Sequence, residues 1–498
     1  MPTLTSTDLI RSIADLSHPL PGQSNETELR RLTRALIGTM QAEGRLAESP
    51  MELALTRTVD LHRESAEQRL RGRRVLVTGG SGCVGTRLRE LLAGFAPAAL
   101  LNLDLVPHDS GEGSWIKADI RDMAALDAAF AAARPEVVFH LASIREPGKA
   151  ELVVHEAVDT NVFGTANIIE ACRAHGVRHA VYSSTGKCYA YLTDHVYTAS
   201  KKLAEAQWMA AAREARGPTA FAMTRFTHVL ENGIVARDIA DGIEHGMVGL
   251  HGPDRHFNIQ NLRQATHLLL NALALCGTEA PDSFWSAVDL GWPVNTLELA
   301  LFQIARSGRD VGVYFLGVPK GYDESFFRGQ FDWSGDHDYH PLVNALEAPG
   351  VFTDSTGTMI GARILACPPE VLQQELRQLR ARLDSEIQDG AVKQALLHAV
   401  TQVTAGIFSQ VEAGKLLDIL WWGAAPEWAG TGDGASRYRQ LMTLLADQVL
   451  PKLEQPGVAL DSSARGKFTD IAATFGIVPG LEGRAARFST LAKSRQAA

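Results

Sequence analysis

The stretch Val75-Leu76-Val77-Thr78-Gly79-Gly80-Ser81-Gly82-Cys83-Val84-Gly85 decides the reading of this 498-residue chain. A short apolar run reads as a buried strand, and Thr86-Arg87-Leu88 continues a helical pattern. Between them, Gly79, Gly82 and Gly85 are spaced G-x-x-G-x-x-G. A strand that turns straight into a helix leaves free backbone N–H groups and the positive helix end at one point, which suits a diphosphate. Gly79 permits the tight turn, Gly82 lets the backbone approach the ligand, and Gly85 lets helix and strand pack closely. A glycine triplet alone is a weak signal; between a strand and a helix it is a specific one.

Outward from this point, apolar runs alternate with helical stretches: ALLNLD (99–104), EVVFHLA (136–142), HAVYSS (179–184) and TAFAMTRF (219–226). Nearly all-apolar strands separated by helices imply a parallel sheet covered on both faces. The expected fold class is α/β: a doubly wound parallel Rossmann sheet with a smaller mixed substrate lobe and added N- and C-terminal helical segments. The expected organisation is a helical arm over 1–70 for packing or dimerisation, a dinucleotide-binding domain over 71–275, a substrate lobe over 276–367 with parts of 228–262, and a helical region over 368–498. Ser49-Pro50-Met51-Glu52 reads as a capping box that starts a helix running toward Arg71. Leu372, Leu376, Leu379, Leu383 and Ile387 read as one stripe of an amphipathic helix.

Asp104 ends the second strand 19 residues after Gly85, a spacing that suits an acid on the ribose hydroxyls and favours NAD over NADP. The expected cofactor contacts are Gly79, Ser81, Gly82, Cys83, Val84, Gly85 and Asp104, with Asp119 and Ile120 at the adenine. Leu141, Ala142 and Ser143, after His140, would line the cofactor with their backbone. The fifth strand runs into Thr185-Gly186-Lys187, and Tyr197-Thr198-Ala199-Ser200-Lys201 follows. Tyr197 and Lys201 at i, i+4 share a helix face. A phenol with an ordinary pKa of about 10 is a poor base at neutral pH, and a nearby ammonium favours its phenolate. Thr185 would hold a substrate hydroxyl, Tyr197 would remove its proton, and Lys201 would also hold the cofactor ribose.

Composition is that of a globular protein, 45% hydrophobic and 21% charged, long enough for two or three units. A net charge of -9 argues against nucleic acid as partner. The five cysteines are scattered, with no C-x-x-C pair. They fit a reduced, cytoplasmic protein without a disulfide framework or zinc site. No run approaches the ~20 apolar residues of a membrane span. Asp336-His337-Asp338-Tyr339-His340 carries metal-binding residue types, but in this setting it reads as a polar loop, and no metal is assigned. Trp421-Trp422 reads as packing.

Together the motifs resemble the extended short-chain dehydrogenase/reductase superfamily, and within it the polysaccharide-biosynthesis group of nucleotide-sugar dehydratases and epimerases. The resemblance runs through VVFHLASIREP (137–147), EAVDTNVFGTANIIEACRAHGVRHAVYSST (156–185), TRFTHVLENG (224–233) and GPDRHFNIQNLRQATHLLL (252–270). It implies tightly held NAD(P), a nucleotide-sugar substrate, oxidation at a sugar carbon, usually C4, and a net epimerisation or dehydration. It implies Arg145, Lys187, His228 and Arg255 as substrate-side residues, with Lys187 also a candidate base. It further implies a homodimer or higher homo-oligomer, joined through the helix near 155–175 and the helix carrying Tyr197. Two positions depart from the group: Gly186 stands where the dehydratases carry an acidic Asp, and His228 where an Asn is usual. Two other readings stay open: an NAD(P)-dependent dehydrogenase or ketoreductase of a specialised metabolite, and a non-catalytic cofactor-binding protein.

Overall fold

Val75, Leu76 and Val77 are fully buried at the centre of a nine-stranded sheet. The computed structural model describes residues 4–18, 20, 22–107, 112–214, 217–231, 234–277, 281–430, 433–455, 458 and 463–494. Asn232 and Gly233, at the end of TRFTHVLENG, lie outside the described residues. The strands are β1 (Arg74–Thr78), β2 (Ala99–Asp104), β3 (Ser114–Lys117), β4 (Val137–His140), β5 (His179–Thr185), β6 (Ala220–Phe226), β7 (Ser283–Ala287), β8 (Val351–Thr353) and β9 (Met359–Arg363). Their order is β8-β9-β7-β6-β5-β4-β1-β2-β3. From β7 to β3 every pairing is parallel, while β9 and β8 add antiparallel strands at one edge. The strand order reverses between β1 and β4, where the connections diverge and leave a crevice at the carboxyl ends.

The sheet therefore extends past residue 275, and the segment 276–367 divides between sheet and lobe. The lobe itself is built from small paired strands, His228–Val229 with Ile259–Gln260, His256–Phe257 with Val294–Asn295, and Met247–Leu250 with Gly312–Phe315. The N-terminal helices Ser6–Leu16 and Gln23–Ala42 pack on this lobe. Leu29, Leu36 and Met40 are fully buried in one cluster with Val248, Leu301 and Val313. Ser49 caps the helix Pro50–Thr56 by accepting from the Glu52 N–H at 3.2 Å. That helix stops at Thr56, and Arg63–Leu70 is a separate one.

The C-terminal hairpin of helices Pro369–Ser385 and Asp389–Ser409 packs on the helices Val154–Val158 and Val196–Arg213. Leu379, Leu383, Leu396 and Val400 meet Val158, Val162, Ala199 and Leu203 in one buried cluster. The two helices expected to join subunits thus bury part of their apolar surface against the C-terminal hairpin. Ile387 lies beyond the helix end and is 96% exposed, so the expected stripe stops at Leu383. The segment 389–424 forms two helices, Asp389–Ser409 and Ala413–Ala424. The latter packs with Arg439–Leu453, Ala464–Ile477 and Glu482–Ser494 around Phe468, Phe475 and Phe488. Trp422 is buried there, and the Trp421 indole N–H donates to Asp470 at 2.8 Å.

One buried ionic group crosses these layers. Arg225 of β6 donates to Glu205 of the helix Val196–Arg213 and to both carboxylate oxygens of Glu347, at 2.8 and 2.7 Å. It also donates to the Leu342 carbonyl at 3.0 Å and stacks 3.9 Å from the Phe284 ring centre. Removing the guanidinium leaves two buried carboxylates without a cation, which typically costs about 3–5 kcal/mol. Arg225→Ala should therefore lower the denaturation midpoint sharply, and Arg225→Met with Glu205→Gln and Glu347→Gln should recover part of the loss. A single variant as stable as the parent would show that the triad contributes nothing.

Candidate active site

The crevice between β1 and β4 opens into a cavity of about 520 Å³ that extends toward the lobe. At its floor, β1 turns through Gly79 with φ +70°, and a Cβ there would stand 2.5 Å from the Ala142 nitrogen. A Cβ on Gly85 would stand 2.5 Å from the Gly79 carbonyl oxygen, so helix and turn touch backbone to backbone. The helix Cys83–Ala93 begins at Gly82 without a side-chain cap. Its first N–H groups face the cavity wall formed by Gly82, Cys83, Val84 and Gly85. Asp104 accepts from the Ser81 N–H at 3.0 Å, tying the end of β2 to the glycine turn. This cradle fits a dinucleotide's diphosphate and ribose. Leu141 and Ser143 line the cavity, and Ser81, Asp104 and Ala142 are not part of its lining. Asp119 lies away from it, forked by Arg121, whose hydrogen bonds hold its carboxyl below the ordinary range. Ile120 turns into the core, where a Cβ on Gly164 would stand 2.7 Å from its tip.

Thr185, at the end of β5, and Tyr197 and Lys201, on one face of the helix Val196–Arg213, line the same cavity. Burial pushes the Tyr197 phenol up to about 12, against the pull of Thr185 and the charge of Arg145. Burial brings Lys201 down to about 8. Its ammonium donates to the Ser183 carbonyl at 2.9 Å and lies 4.3 Å from the Tyr182 ring centre. Behind it, His140 bridges the Thr78 and Thr165 hydroxyls at 2.8 and 3.0 Å. Burial and then the Lys201 charge hold His140 down at about 3, so it stays neutral beside the ammonium. Sequence reading assigned His140 only a backbone role; its ring instead stacks with Tyr182 and Trp208. Asn161, in a π-helical turn over Asp159–Gly164, grips both backbone groups of Ile144 and donates to the Ser200 hydroxyl. It thereby sets the loop that carries Arg145.

The substrate side differs most from expectation. The space an Asp at 186 would need is taken: a Cβ on Gly186 would stand 2.3 Å from a Leu342 methyl and 3.2 Å from the Phe226 carbonyl oxygen. A carboxylate is nevertheless present. Glu324, from the loop Pro319–Glu324, accepts from the Lys187 ammonium at 2.8 Å and from the Thr198 hydroxyl, and lies 3.2 Å from His195 Nδ1. Burial alone raises the Glu324 carboxyl, but His195, Lys187 and Thr198 outweigh it and hold it at about 2. No motif marks Glu324, which follows Asp323 in a loop 137 residues from Lys187. His228 lines the cavity edge-on to Phe257 at 5.0 Å, brought down to about 4 by burial and then by Lys187. Arg145 is on the cavity rim. Arg255 is not in the cavity; it donates to the Tyr322 carbonyl at 2.7 Å and lines an adjoining recess with Arg328 and Arg437. Tyr339 also lines the cavity, while His340 is occupied with the Ala287 carbonyl at 3.0 Å.

Two outcomes follow from this geometry. Gly186→Asp should destabilise the protein by about 1–3 kcal/mol through overpacking. Leu342→Ala in the same chain should relieve part of that cost, and strictly additive effects in a double-mutant cycle would refute the contact. For Glu324, a folded value near 2 lies below the ordinary one, so its stabilisation is present above about pH 4.3 and fades as pH falls toward 2. Glu324→Gln should melt lower than the parent at pH 7, with the gap closing below about pH 4.3; a gap independent of pH would contradict the assignment.

Residues 75–321 match the family described as polysaccharide biosynthesis protein. The chain is 27% identical over 320 residues to the capsular polysaccharide biosynthesis protein CapD of Staphylococcus aureus, covering 60% of this chain and 50% of that one. It is 35% identical over 131 residues to UDP-glucose 4-epimerase 2 of Oryza sativa subsp. japonica, 24% of this chain and 32% of the relative. The chain spans about half the length of CapD and of the probable polysaccharide biosynthesis protein EpsC of Bacillus subtilis. Among solved structures, Pen from Bacillus thuringiensis shares the fold, with a TM-score of 0.50 and 19% identity over 59% of this chain and 88% of that one. The matched span begins in β1 and ends at Gly321, on the roof of the cavity, three residues short of Glu324. Over that span the chain is similar to the polysaccharide biosynthesis protein family and resembles the extended short-chain dehydrogenase/reductase superfamily.

Proposed function

We propose that this chain is an NAD-dependent nucleotide-sugar epimerase that begins by oxidising a secondary sugar hydroxyl, at C4 by resemblance, through Tyr197. The observation that carries the reading is the convergence of Thr185, Tyr197 and Lys201 on one cavity with the glycine cradle. The likeness to a UDP-glucose 4-epimerase supports it. NAD, when bound, supplies a reversible two-electron acceptor. The glycine turn and the Cys83–Ala93 helix end hold its diphosphate, Asp104 its ribose, and Lys201 the ribose near the reacting carbon.

Thr185 accepts or donates at the sugar hydroxyl and orients it toward Tyr197. Tyr197 takes the proton. A phenol near 12 is neutral at pH 7, so its phenolate must be favoured by nearby cations; Arg145 pulls in that direction, and Lys201 lines the same cavity one helical turn away. Reduction from the opposite face returns the proton from Tyr197 and needs room for the sugar to present its other side. A cavity of about 520 Å³ is in the range of small-ligand sites.

Epimerisation is favoured over dehydration on electrostatic grounds. Losing a hydroxyl as water requires a protonated acid beside it. Gly186 supplies none, and Glu324 is held ionised by its partners. The Lys187–Glu324 pair therefore acts as a fixed dipole on the sugar or phosphate rather than as a proton donor.

Incubating the protein with NAD and a panel of UDP-, dTDP-, GDP- and CDP-hexoses should give an epimer of unchanged mass. Tyr197→Phe should lower turnover by about 10²–10⁴-fold while NAD binding is kept. Full turnover in that variant would remove Tyr197 from the mechanism. Accumulation of NADH in step with product would replace the epimerase by a dehydrogenase, and loss of water would restore the dehydratase.

A further inference from the structure

A second cavity lies on the other side of the catalytic helix. It encloses about 340 Å³ between the helix Val196–Arg213, the linker over 364–367 and the helix Asp389–Ser409. Tyr197 and Lys201 face the first cavity; Lys202, Met209 and Arg213 face this one. Its opposite wall is apolar, with Ile364, Leu365, Val400, Val403 and Phe408.

Two cations on this wall lack full partners. The Lys202 ammonium donates to the Cys188 carbonyl at 3.2 Å, and among the described residues no carboxylate lies within ion-pair distance of it. The nearest candidate, Glu205, is committed to Ser184 and Arg225. Arg213 gives one guanidinium nitrogen to the Ile364 carbonyl and is neutralised by Asp282 at 3.6 Å, while its Nη1 is buried with no hydrogen-bond partner. Burial disfavours the charged form of both. Among the described residues, Lys202 is thus the half-buried cation of this wall without an acidic partner, and withdrawing such a charge from water is costly unless a counter-charge is supplied. Residues 202 and 213 are eleven positions apart, close to three full helical turns. They therefore lie on one face, separated by roughly 16 Å at about 1.5 Å per residue.

We propose that this cavity is a binding site for an elongated apolar molecule ending in an anionic group, with its chain along the Val196–Arg213 helix and its head at Lys202. Apolar walls with a small number of convergent polar groups are the usual composition of a small-ligand site. A carboxylate or phosphate head would supply the counter-charge that Lys202 lacks, and the chain would fill space between Met209 and Val403. The site is distinct from the sugar cavity and does not depend on the proposed epimerase activity. A ligand here would touch the catalytic helix on its back face and the turn carrying Cys188, the residue after Lys187.

Dodecanoate is a suitable probe, with dodecanol as the uncharged control. Calorimetric titration of the full chain should show saturable binding of dodecanoate, and dodecanol should bind at least about tenfold more weakly. Lys202→Met keeps the length and apolar stem but removes the charge. It should weaken dodecanoate by about tenfold or more and leave dodecanol unchanged. Val403→Trp fills the cavity and should abolish binding of both. Equal affinities for acid and alcohol, wild-type affinity in Lys202→Met, or undiminished binding in a folded Val403→Trp would each overturn the proposal. Should Val403→Trp not fold, the Lys202→Met comparison decides alone.

Discussion

The guanidinium of Arg225 is the interaction on which the rest of the site depends. It joins β6 to the catalytic helix through Glu205 and to the segment 342–347 through Glu347 and the Leu342 carbonyl. Glu205 also holds the Ser184 hydroxyl at 2.8 Å, one residue before Thr185. A planar fork with fixed donor directions tolerates little displacement of its carboxylates. The end of β5 and the helix carrying Tyr197 are therefore set relative to each other by a buried charge, not by packing alone. The same fork fixes Leu342, whose side chain takes the space over Gly186. One interaction thus both aligns the residues proposed for proton transfer and holds the backbone of Leu342, whose methyl lies over Gly186.

The charge missing at 186 returns from elsewhere. The loop Pro319–Glu324 is held down by His195, whose Nε2 lies 2.7 Å from Asp323, and by Lys320 with Asp194. Gly321, at φ +98°, lies against Pro147, where a Cβ would stand 2.8 Å from its carbonyl carbon. This clamp delivers Glu324 to Lys187 in ionised form. A carboxylate in this state balances a lysine and orients a ligand; it does not protonate a leaving group.

The terminal additions act as structure rather than as free arms. The N-terminal helices bury Leu29, Leu36 and Met40 against the lobe, and the C-terminal hairpin buries Leu379 and Leu396 against the helix bundle. Part of the surface expected to join two copies is buried in cis, and the catalytic helix is sandwiched between two cavities. Its back face is lined by groups that the proposed redox step does not use.

Sequence alone determined the Rossmann half, because each element there is specified locally. The near-continuous apolar runs of β1 and β4, buried on both faces, the glycine turn and the i, i+4 spacing of Tyr197 and Lys201 are short-range constraints. It also identified Gly186 as the departure from the group. What it could not contain was the reason, since Leu342 and Phe226 meet that glycine only after β6 and the 340–348 segment have folded onto β5. The same holds for Glu324, which reaches Lys187 across 137 residues of chain. It holds too for Ile120 and Arg255, whose side chains turn away from the places their spacing suggested. Local backbone preference is written residue by residue. The electrostatic partner of a buried charge is chosen by the tertiary fold, because only there do distant side chains share one low-dielectric space.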